Sequence, residues 1–457
     1  MVAAGLLKEM WRSLSGADGG TERVEFSGEG VVPSAFAATD FAAASVAVAG
    51  LAVARLLEAA GTANPGVAVD RTLASAWFAT SLRPQGWTLP PVWDPVAGAY
   101  EAADGWIRLH TNVPRHREAA LRVIGCAPDR ESVAAAVRRR DAAALEEAVV
   151  AEGGCAAAMR SLDEWAGHPQ GAAVAAEPLV DTTATGAGPD GGWRPRPERP
   201  LAGVRVLDLT RVLAGPVATR FLAGYGADVL RVDPPDWDEE LVAAEVTLGK
   251  RCARLDAKSR GGREQLRELL ADADVLVHGY RPGALDELGL GPEERDAIRP
   301  GLVDICLDAY GWTGPWRSRR GFDSLVQMST GIADAGRIWA GSEAPRPLPF
   351  QALDQATGYL MAAAAVRGLT VRLADGHGLR ARCSLARTAR LLVDAGEGPA
   401  DRPAVERAAA PTAEGIETTV WGPAKRVAAP LRVTGAPLEW TSPAVALGSG
   451  SAHWQTS

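Results

Sequence analysis

Apolar residues in the second half of the chain follow two alternating patterns. Short apolar runs bounded by turns predict buried strands at GVRVLDL, ADVLRVD, ADVLVHGY and GLVDICLDAYG. The segments LAGPVATRFLAGYG and REQLRELLADA between them have helical spacing, and Pro216 suits a first helical turn, where an N–H has no intrahelical partner. Strands that alternate with helices predict an α/β fold with a doubly wound parallel sheet.

The first half of the chain has a different pattern. A long Ala- and Val-rich helix is predicted from about residue 42 to 60, followed by short strands such as GWIRLHT and by helices over 131–161. These elements predict a smaller α+β domain. The stretch 35–57 is long enough for a membrane span, but it contains Asp40 and Ser45. We therefore expect a buried helix and no membrane partner.

Two loop-like stretches divide the chain. Residues 181–200 combine Gly, Pro, Thr and charge without periodicity, which is typical of an exposed linker, and a second such stretch begins near residue 394. The predicted organisation is an N-terminal region over 1–180, a linker over 181–200, a large α/β domain over 201–392 and a loop with a surface-wrapping tail over 393–457.

An internal repeat relates two helices that each begin near an aspartate. Asp40 opens an Ala- and Val-rich helix followed by VAVDRTLA, and Asp354 opens a helix through MAAAAVRGLTV followed by LRARCSLA. Both carboxylates lie at helix N-termini, where aligned backbone dipoles favour negative charge. Simple N-capping is the alternative explanation for Asp40.

Parallel sheets bind ligands in the loops that leave the carboxyl ends of their strands. The loops in question follow Leu209, Val232, Val277 and Leu307, and none contains G-x-G-x-x-G or a P-loop. The sequence thus disfavours a dinucleotide site or a phosphoryl-transfer site of the standard kind.

Charge and cysteine content narrow the function further. The formal net charge of −8 argues against a nucleic-acid partner, which would require a basic face. The five cysteines have neither CxxC nor metal-site spacing, so we expect no metal and a reducing, cytoplasmic location. The N-terminus shows no signal-peptide pattern.

Seven segments between residues 200 and 385 occur in an order that resembles the family III CoA-transferases (CaiB/BaiF), which include the formyl-CoA and carnitine enzymes. They are PLAGVRVLDLTRVLAGP, GADVLRVD, GKRCARLDAKS, ADVLVHGYRPGAL, YGWTGP, RRGFDSLVQMSTG and ALDQATGY, the last with Arg372, Gly376 and Gly378 downstream. Residues 70–180 are similar to the small domain of that family. Here the small domain precedes the large one, so the chain resembles a circular permutation of a Rossmann-like fold.

The resemblance implies a transferase of CoA, a sulfur-containing group, with Asp354 as the catalytic carboxylate in an Asp-x-x-x-Gly pattern. It implies acyl-CoA and a carboxylic acid as substrates, no tightly bound cofactor, and a homodimer or a partner subunit. The implied CoA contacts are Leu213, Ala214, Leu255, Lys258, Gly279, Tyr280, Arg281, Arg320, Phe322 and Asp323. By analogy, Asp354 would form an anhydride with the acyl group and then an aspartyl-CoA thioester.

The sequence departs from the family pattern at several positions. Pro234 and Glu287 stand where some members have arginine, and Leu379 where glutamine is usual. No Gly triplet like that of the family's lid loop occurs near residues 100–115. These departures motivate a noncatalytic CoA-binding paralogue or subunit as the alternative. An acyl-CoA racemase is a weaker alternative, because its catalytic histidine would fall on Phe322.

Overall fold

The computed structural model describes residues 2–17, 19–189, 191–398, 403–405 and 409–455. Sixteen α-helices are described within these ranges, with two short 3-10 turns. The helices are α1 (Val2–Ser15), α2 (Ala38–Ala59), α3 (Arg71–Ala79), α4 (Pro114–Ile124), α5 (Arg130–Val137), α6 (Ala142–Ala151), α7 (Leu162–Gly167), α8 (Pro169–Ala176), α9 (Ala214–Gly224), α10 (Glu240–Val246), α11 (Arg260–Ala271), α12 (Pro292–Ile298), α13 (Asp323–Ser329), α14 (Ile332–Trp339), α15 (Ala352–Asp375) and α16 (Leu385–Asp394).

The strands of the described ranges form one large sheet and three small ones. They are β1 (Val24–Ser27), β2 (Val67–Asp70), β3 (Leu82–Pro84), β4 (Gly98–Glu101), β5 (Trp106–Leu109), β6 (Ala156–Ala158), β7 (Asp181–Ala187), β8 (Arg205–Leu209), β9 (Asp228–Asp233), β10 (Arg251–Arg254), β11 (Val275–His278), β12 (Val303–Asp308), β13 (His377–Ser384), β14 (Glu417–Thr419), β15 (Gly422–Arg426) and β16 (Leu431–Val433).

The large sheet has seven strands in the order β10-β9-β8-β11-β12-β13-β7. Strands β8 to β13 pair in parallel, and β7 is antiparallel to β13. The central strands are continuous apolar runs because helices cover both faces of the sheet. The predicted α/β fold with a parallel sheet is confirmed.

The prediction of an exposed linker over 181–200 is wrong for its first residues, because they form strand β7. Asp181–Ala187 pairs with β13 at the edge of the large sheet, with a register shift between His377 and Leu379. Only Thr185 of this strand is buried. An edge strand with one buried side chain lacks the apolar alternation by which strands are predicted.

The small domain is a three-stranded antiparallel sheet, β4-β5-β6, covered by α4, α5 and α6. It has its own apolar core, which includes Tyr100, Ile107 and Val149. The smaller α+β domain expected from the sequence is therefore present in the N-terminal half.

The predicted repeat is visible as two βαβ units. Strands β1 and β2 are parallel and flank α2, while β12 and β13 are parallel and flank an insertion and α15. Helices α2 and α15 pack against each other, and α15 also contacts α9. Although α2 is long and apolar enough to span a membrane, 94% of its most apolar 18-residue window is buried inside the protein.

The tail after α16 crosses both halves of the molecule. Strand β16 joins β2, and β15 joins β3. Trp440 stacks on Trp77 at a centroid distance of 5.3 Å and donates a hydrogen bond to the carbonyl of Arg220. Trp454 donates to the carbonyl of Leu269 on α11. These contacts join the N-terminal half, the tail and the large domain.

Candidate active site

The first turn of α15 carries Asp354, and its backbone is capped from another helix. Gln351, which precedes α15, makes no side-chain cap. Instead, Asp323 Oδ2 at the start of α13 accepts hydrogen bonds from the backbone N–H groups of Leu353 (2.8 Å) and Asp354 (2.9 Å). These N–H groups have no partner within the helix. A carboxylate from α13 therefore fixes the backbone of Asp354.

The surroundings oppose ionisation of Asp354. Its side chain is only slightly exposed, and burial, followed by the charge of Asp323, raises the pKa of Asp354 well above its ordinary value. Burial also raises the pKa of Asp323 to about 6, although hydrogen bonds from the Asp354 N–H and from Gln327 favour its ionised form. At neutral pH Asp323 is thus mostly charged, and Asp354 is a carboxyl group of raised basicity next to it.

Gly358 brings α15 close to the loop that follows β8. A Cβ atom at Gly358 would lie 2.5 Å from the carbonyl oxygen of Ala214, so a side chain there would push α15 away from α9. The Asp-x-x-x-Gly spacing therefore has a structural reason. It sets Asp354 on a helix that touches the predicted CoA-binding residues Leu213 and Ala214.

The loop between β8 and α9 is strained. Val212 has φ = 65°, in the left-handed region that a β-branched residue rarely adopts. Its N–H donates a 2.8 Å hydrogen bond to Glu239 Oε2, and Glu239 is in turn paired with the buried Arg231. Such strain concentrates at ligand-binding loops. It supports Leu213 and Ala214 as part of a binding loop.

One face of β5 in the small domain packs against α13. Ile107 and Leu109 point into the core of the small domain, so the alternation of the strand turns Trp106 and Arg108 to the other side. Trp106 packs in an apolar cluster with Leu325 and Met328 of α13. The small domain therefore covers the helix that caps Asp354.

His110 and His116 lie beside Phe322. The ring of His110 stacks on Phe322 at a centroid distance of 3.7 Å, and its Nδ1 lies 3.4 Å from Ser324 Oγ. His116 Nδ1 lies 3.6 Å from Cys155 Sγ. Burial, followed by nearby arginines, lowers the pKa of His110 to about 3 and that of His116 to about 4. Both imidazoles are neutral at physiological pH.

The predicted cationic contacts to CoA differ in their surroundings. Lys258 and Arg320 are exposed. Arg281 forms a 2.6 Å ion pair with Glu287, the residue that stands where some family members have arginine. Because Glu287 already neutralises Arg281, that guanidinium is the weakest of the three as an anion site.

Arg320 belongs to an arginine cluster that the sequence did not indicate. Arg320 and Arg211 both lower the pKa of Arg115, after the effect of burial, which places the three guanidinium groups near one another. Tyr280 supports this cluster, because its hydroxyl lies 3.1 Å from Arg211 Nη2. Arg115 is contributed by α4 of the small domain, so the two domains share the cluster.

The other predicted contacts lie in loops at one edge of the sheet. Leu255 follows β10 and donates its N–H to the carbonyl of Asp233, and Gly279 follows β11. Asp323, in contrast, binds the first turn of α15, and the carbonyl of Ala214 lies against Gly358 of the same helix. Phe322 packs near Leu325 and Met328 and stacks on His110. The remaining residues lie in loops after the parallel strands.

Asp40 in the second helix copy has a different environment. It is not an N-cap, because Ala37 holds that position and Asp40 is the third residue of α2. Its Oδ1 is bound by Arg71 Nη2 (3.0 Å) and Nε (3.1 Å), and both side chains are almost fully buried. The carboxylate of Asp40 is neutralised within the fold.

The end of α15 opposite to Asp354 is held by Arg372, Gly376 and Gly378. Arg372 pairs with Asp274 at 3.0 Å, Gly376 ends the helix with φ = 79°, and Gly378 packs closely on the carbonyl of Leu302. These residues therefore hold α15 on the sheet and do not approach the site.

Comparison with known proteins matches the large domain. Residues 201–413 fit the sequence model described as CoA-transferase family III. The predicted resemblance to family III CoA-transferases is confirmed for this region, which contains Asp354 and all the implied CoA contacts.

Individual CoA-transferases are also similar to part of this chain. Succinyl-CoA:glutarate CoA-transferase of Mus musculus is 37% identical over 220 residues, or 44% of this chain and 50% of that protein. Acetyl-coenzyme A transferase nodX of Hypoxylon pulicicidum is 38% identical over 198 residues, or 41% of this chain and 33% of that protein. The chain spans half or less of the length of these relatives.

A solved structure of a CAIB/BAIF family protein from Brucella suis also aligns with the chain. The identity is 27% and the TM-score 0.38, over 50% of this chain and 65% of that chain.

Proposed function

We propose that this protein is a CoA-transferase that moves CoA between an acyl-CoA thioester and a carboxylic acid. The observation that carries the proposal is the position of Asp354 in the family III region. Its carboxyl group is buried, is raised in basicity by burial and Asp323, and forms no ion pair with a basic side chain of the described residues. A carboxylate of raised basicity is a better nucleophile toward a thioester.

In the proposed mechanism the Asp354 carboxylate attacks the thioester carbonyl of the donor. The carbon–sulfur bond breaks, and the products are an aspartyl-acyl anhydride and CoA thiolate. The thiolate then attacks the aspartyl carbonyl, which gives an aspartyl-CoA thioester and releases the donor acid. The acceptor carboxylate reverses these two steps and leaves as a new acyl-CoA.

The geometry supports this mechanism in two ways. Asp323 binds the N–H groups of Leu353 and Asp354, so the nucleophile is held on a fixed backbone. The small domain covers α13, which limits access of water to an anhydride that water would hydrolyse.

We further propose that one chain supplies a complete site. The small domain precedes the large domain in sequence, yet Trp106 and His110 of the small domain contact α13 of the same chain. These contacts within one chain support a site that forms without a domain from a second chain. Transfer activity measured at the molecular mass found by size-exclusion chromatography with light scattering tests this point.

The cysteines are consistent with a reducing, cytoplasmic location. All five are free, and Cys155, Cys252, Cys306 and Cys383 are buried. We propose this location together with CoA and carboxylic acids as the only small-molecule partners. Fractionation of cells that express the natural chain tests the location.

The racemase alternative would need another residue in place of its catalytic histidine. Phe322 cannot carry a proton, and His110, which stacks on Phe322, is a weak base because burial lowers its pKa to about 3. Exchange of the α-proton of a 2-methylacyl-CoA in deuterated water would support a racemase. CoA transfer without such exchange would support the transferase.

The transferase itself is tested by mixing the purified protein with a panel of acyl-CoA donors and labelled CoA. We expect label to enter the acyl-CoA pool for at least one donor, and the Asp354→Ala variant to give none. CoA that binds without exchange for every donor would instead support a noncatalytic CoA-binding protein.

A further inference from the structure

Glu146 of the small domain is a buried carboxylate that the proposed mechanism does not use. It lies on α6, and its side chain is almost fully buried. Its Oε1 accepts a 2.7 Å hydrogen bond from Arg319 Nη2, and its Oε2 accepts a 2.6 Å hydrogen bond from Arg160 Nη2. Arg160 follows β6 of the small domain, whereas Arg319 lies in the loop between β12 and α13 of the large domain. Glu146 therefore joins the two domains through a buried ion pair.

The Arg319 side chain is held from several directions. Its guanidinium lies over the ring of Trp316, 4.0 Å from the ring centroid, and 5.5 Å from the ring centroid of Tyr310. Besides its bond to Glu146, Nη2 donates a 2.9 Å hydrogen bond to the carbonyl of Ala156 on β6. A planar guanidinium with an ion pair and stacking contacts keeps a defined orientation. Arg319 therefore fixes its stretch of the loop against the small domain.

Arg320, the next residue, has different surroundings. Its side chain is exposed and forms no ion pair with an acidic side chain in the described parts of the chain. It belongs to the arginine cluster with Arg115 and Arg211, and the sequence resemblance implies that it contacts CoA. Since Arg319 and Arg320 are consecutive, the backbone that Arg319 holds also sets where the Arg320 side chain begins. Glu146 can thus influence a predicted CoA contact from a buried position.

We propose that Glu146 is a positioning residue for CoA binding: it holds Arg319 and thereby directs Arg320 toward a phosphate group of CoA. This inference rests on the proposed transferase function. Without the charge of Glu146, the buried guanidinium of Arg319 loses a counter-charge, and the loop should shift to restore its solvation. The phosphate groups of CoA are distant from the thioester. A shifted Arg320 should therefore weaken the binding of CoA with little change in the chemistry at Asp354.

The test measures CoA affinity in variants that break the pair. The dissociation constant of CoA is measured by calorimetry for wild type, Glu146→Gln, Arg320→Ala and the double variant. Exchange kinetics are measured with an acyl-CoA and with the same acyl group on pantetheine, a thioester that lacks the phosphate groups of CoA. The matched control is Glu152→Gln, because Glu152 ends the same helix but pairs with Arg122 at 2.9 Å on the exposed surface.

We expect Glu146→Gln to raise the dissociation constant of CoA about two- to fivefold, the value of one exposed charge contact, and no more than Arg320→Ala does. The double variant should match Arg320→Ala, because the effect of Glu146 passes through Arg320. The KM for the acyl-pantetheine should not change in Glu146→Gln. Glu152→Gln should bind CoA like wild type.

Three results would each overturn the proposal: a wild-type dissociation constant in Glu146→Gln, effects that add in the double variant, or an equal rise of KM for acyl-pantetheine and acyl-CoA. The last two would indicate a purely structural role of Glu146. If Glu146→Gln does not fold, Arg319→Lys decides, because lysine keeps the charge opposite Glu146 but not the planar fork. Arg319→Lys should bind CoA more weakly than wild type, and an unchanged affinity would overturn the proposal.

The calorimetric readout is separate from CoA exchange. Exchange in wild type together with unchanged CoA affinity in Glu146→Gln rejects only this inference. A Glu146-dependent CoA affinity without exchange for any donor rejects only the transferase.

Discussion

Helices α2 and α15 belong to two copies of one structural unit. The corresponding aspartates of the two helices have different neighbours. In each copy the aspartate is the third residue of a long apolar helix, and a parallel strand follows. Asp40 is bound by Arg71 at 3.0 Å, whereas Asp354 faces the carboxylate of Asp323. The carboxylate of Asp40 has a cationic partner, whereas burial and the charge of Asp323 raise the pKa of Asp354.

The cation beside Asp40 comes from one position in the unit. Strand β2 ends at Asp70, which caps α3, and strand β13 ends at Ser384, which caps α16. The next residue is Arg71 in the first copy and Leu385 in the second. An arginine at that position reaches back to the aspartate, and a leucine leaves the carboxylate without a cation. The pairing with arginine, rather than the helix, distinguishes Asp40 from the proposed nucleophile Asp354.

The largest expected effect concerns activity. Asp354→Asn should lower CoA exchange at least about a thousandfold, because an amide cannot attack the thioester and be regenerated. Asp40→Asn should exchange CoA at a rate near that of wild type, per folded molecule. Steady-state assays measure the exchange rate of both variants. Equal losses of activity in the two variants would contradict the different roles of Asp40 and Asp354.

The second effect concerns stability and has opposite signs in the two copies. Asp40→Asn leaves Arg71 buried without its counter-charge and should cost about 3–5 kcal/mol. Asp354→Asn removes a carboxyl group that burial and Asp323 destabilise, so this variant should unfold at a higher temperature than wild type. Calorimetry or denaturant unfolding at pH 7 gives both values.

A double variant is the control for the stability comparison. Asp40→Asn with Arg71→Leu removes both partners of the pair and should recover much of the stability lost in Asp40→Asn. If the double variant is no more stable than Asp40→Asn, the loss comes from packing and not from an unpaired charge.

The third prediction concerns pH. Asp354 must be ionised to attack, so activity should fall as pH falls through its raised pKa. Asp323→Asn removes the negative neighbour and should move the acid limb of the pH–rate profile to lower pH, with a modest loss of rate. An acid limb that stays in place would show that Asp323 does not control Asp354.

The same variant changes the pH dependence of stability. The pKa of Asp323 in the fold is about 6, above its ordinary value near 4, so between these values the folded protein binds more protons than the unfolded chain. The stability contributed by protonated Asp323 is present below about pH 4 and is lost as pH rises through about 6. Unfolding curves for Asp323→Asn should lack this loss.

The smallest effects are expected in the loops that we predict to contact CoA. Arg320→Ala and Lys258→Ala should each raise the KM for CoA a few-fold, roughly the value of one exposed charge contact, and the increase should shrink with added salt. Arg281→Ala should change KM less, because Glu287 already pairs with Arg281. If Arg281→Ala raised the KM more than the other two substitutions, CoA would bind closer to Arg281 than we predict.

Much of the fold was predictable because its strands and helices have strong periodicity. Four strands of the parallel sheet, β8, β9, β11 and β12, and both copies of the Asp-bearing helix could be predicted from apolar spacing, whereas β10 was not predicted. Strand β7 could not, because its Thr-rich edge buries one side chain.

Asp354 could be selected as a candidate from its motif, and this stays a prediction; the surroundings of Asp354 could not be predicted. The cap from Asp323 joins residues 31 positions apart through tertiary packing alone. Arg108 and His110 were also missed. The alternation in WIRLH indicates that they share a face of β5, but only the docking of the small domain on α13 shows what that face meets.

The most direct test is to locate the covalent adduct. The protein is incubated with a donor acyl-CoA and hydroxylamine, digested, and analysed by mass spectrometry for aspartyl hydroxamate. We predict hydroxamate on the peptide that contains Asp354 and none on the peptide that contains Asp40. Hydroxamate on Asp40, or CoA exchange with neither aspartate modified, would contradict the assignment of Asp354 as the nucleophile.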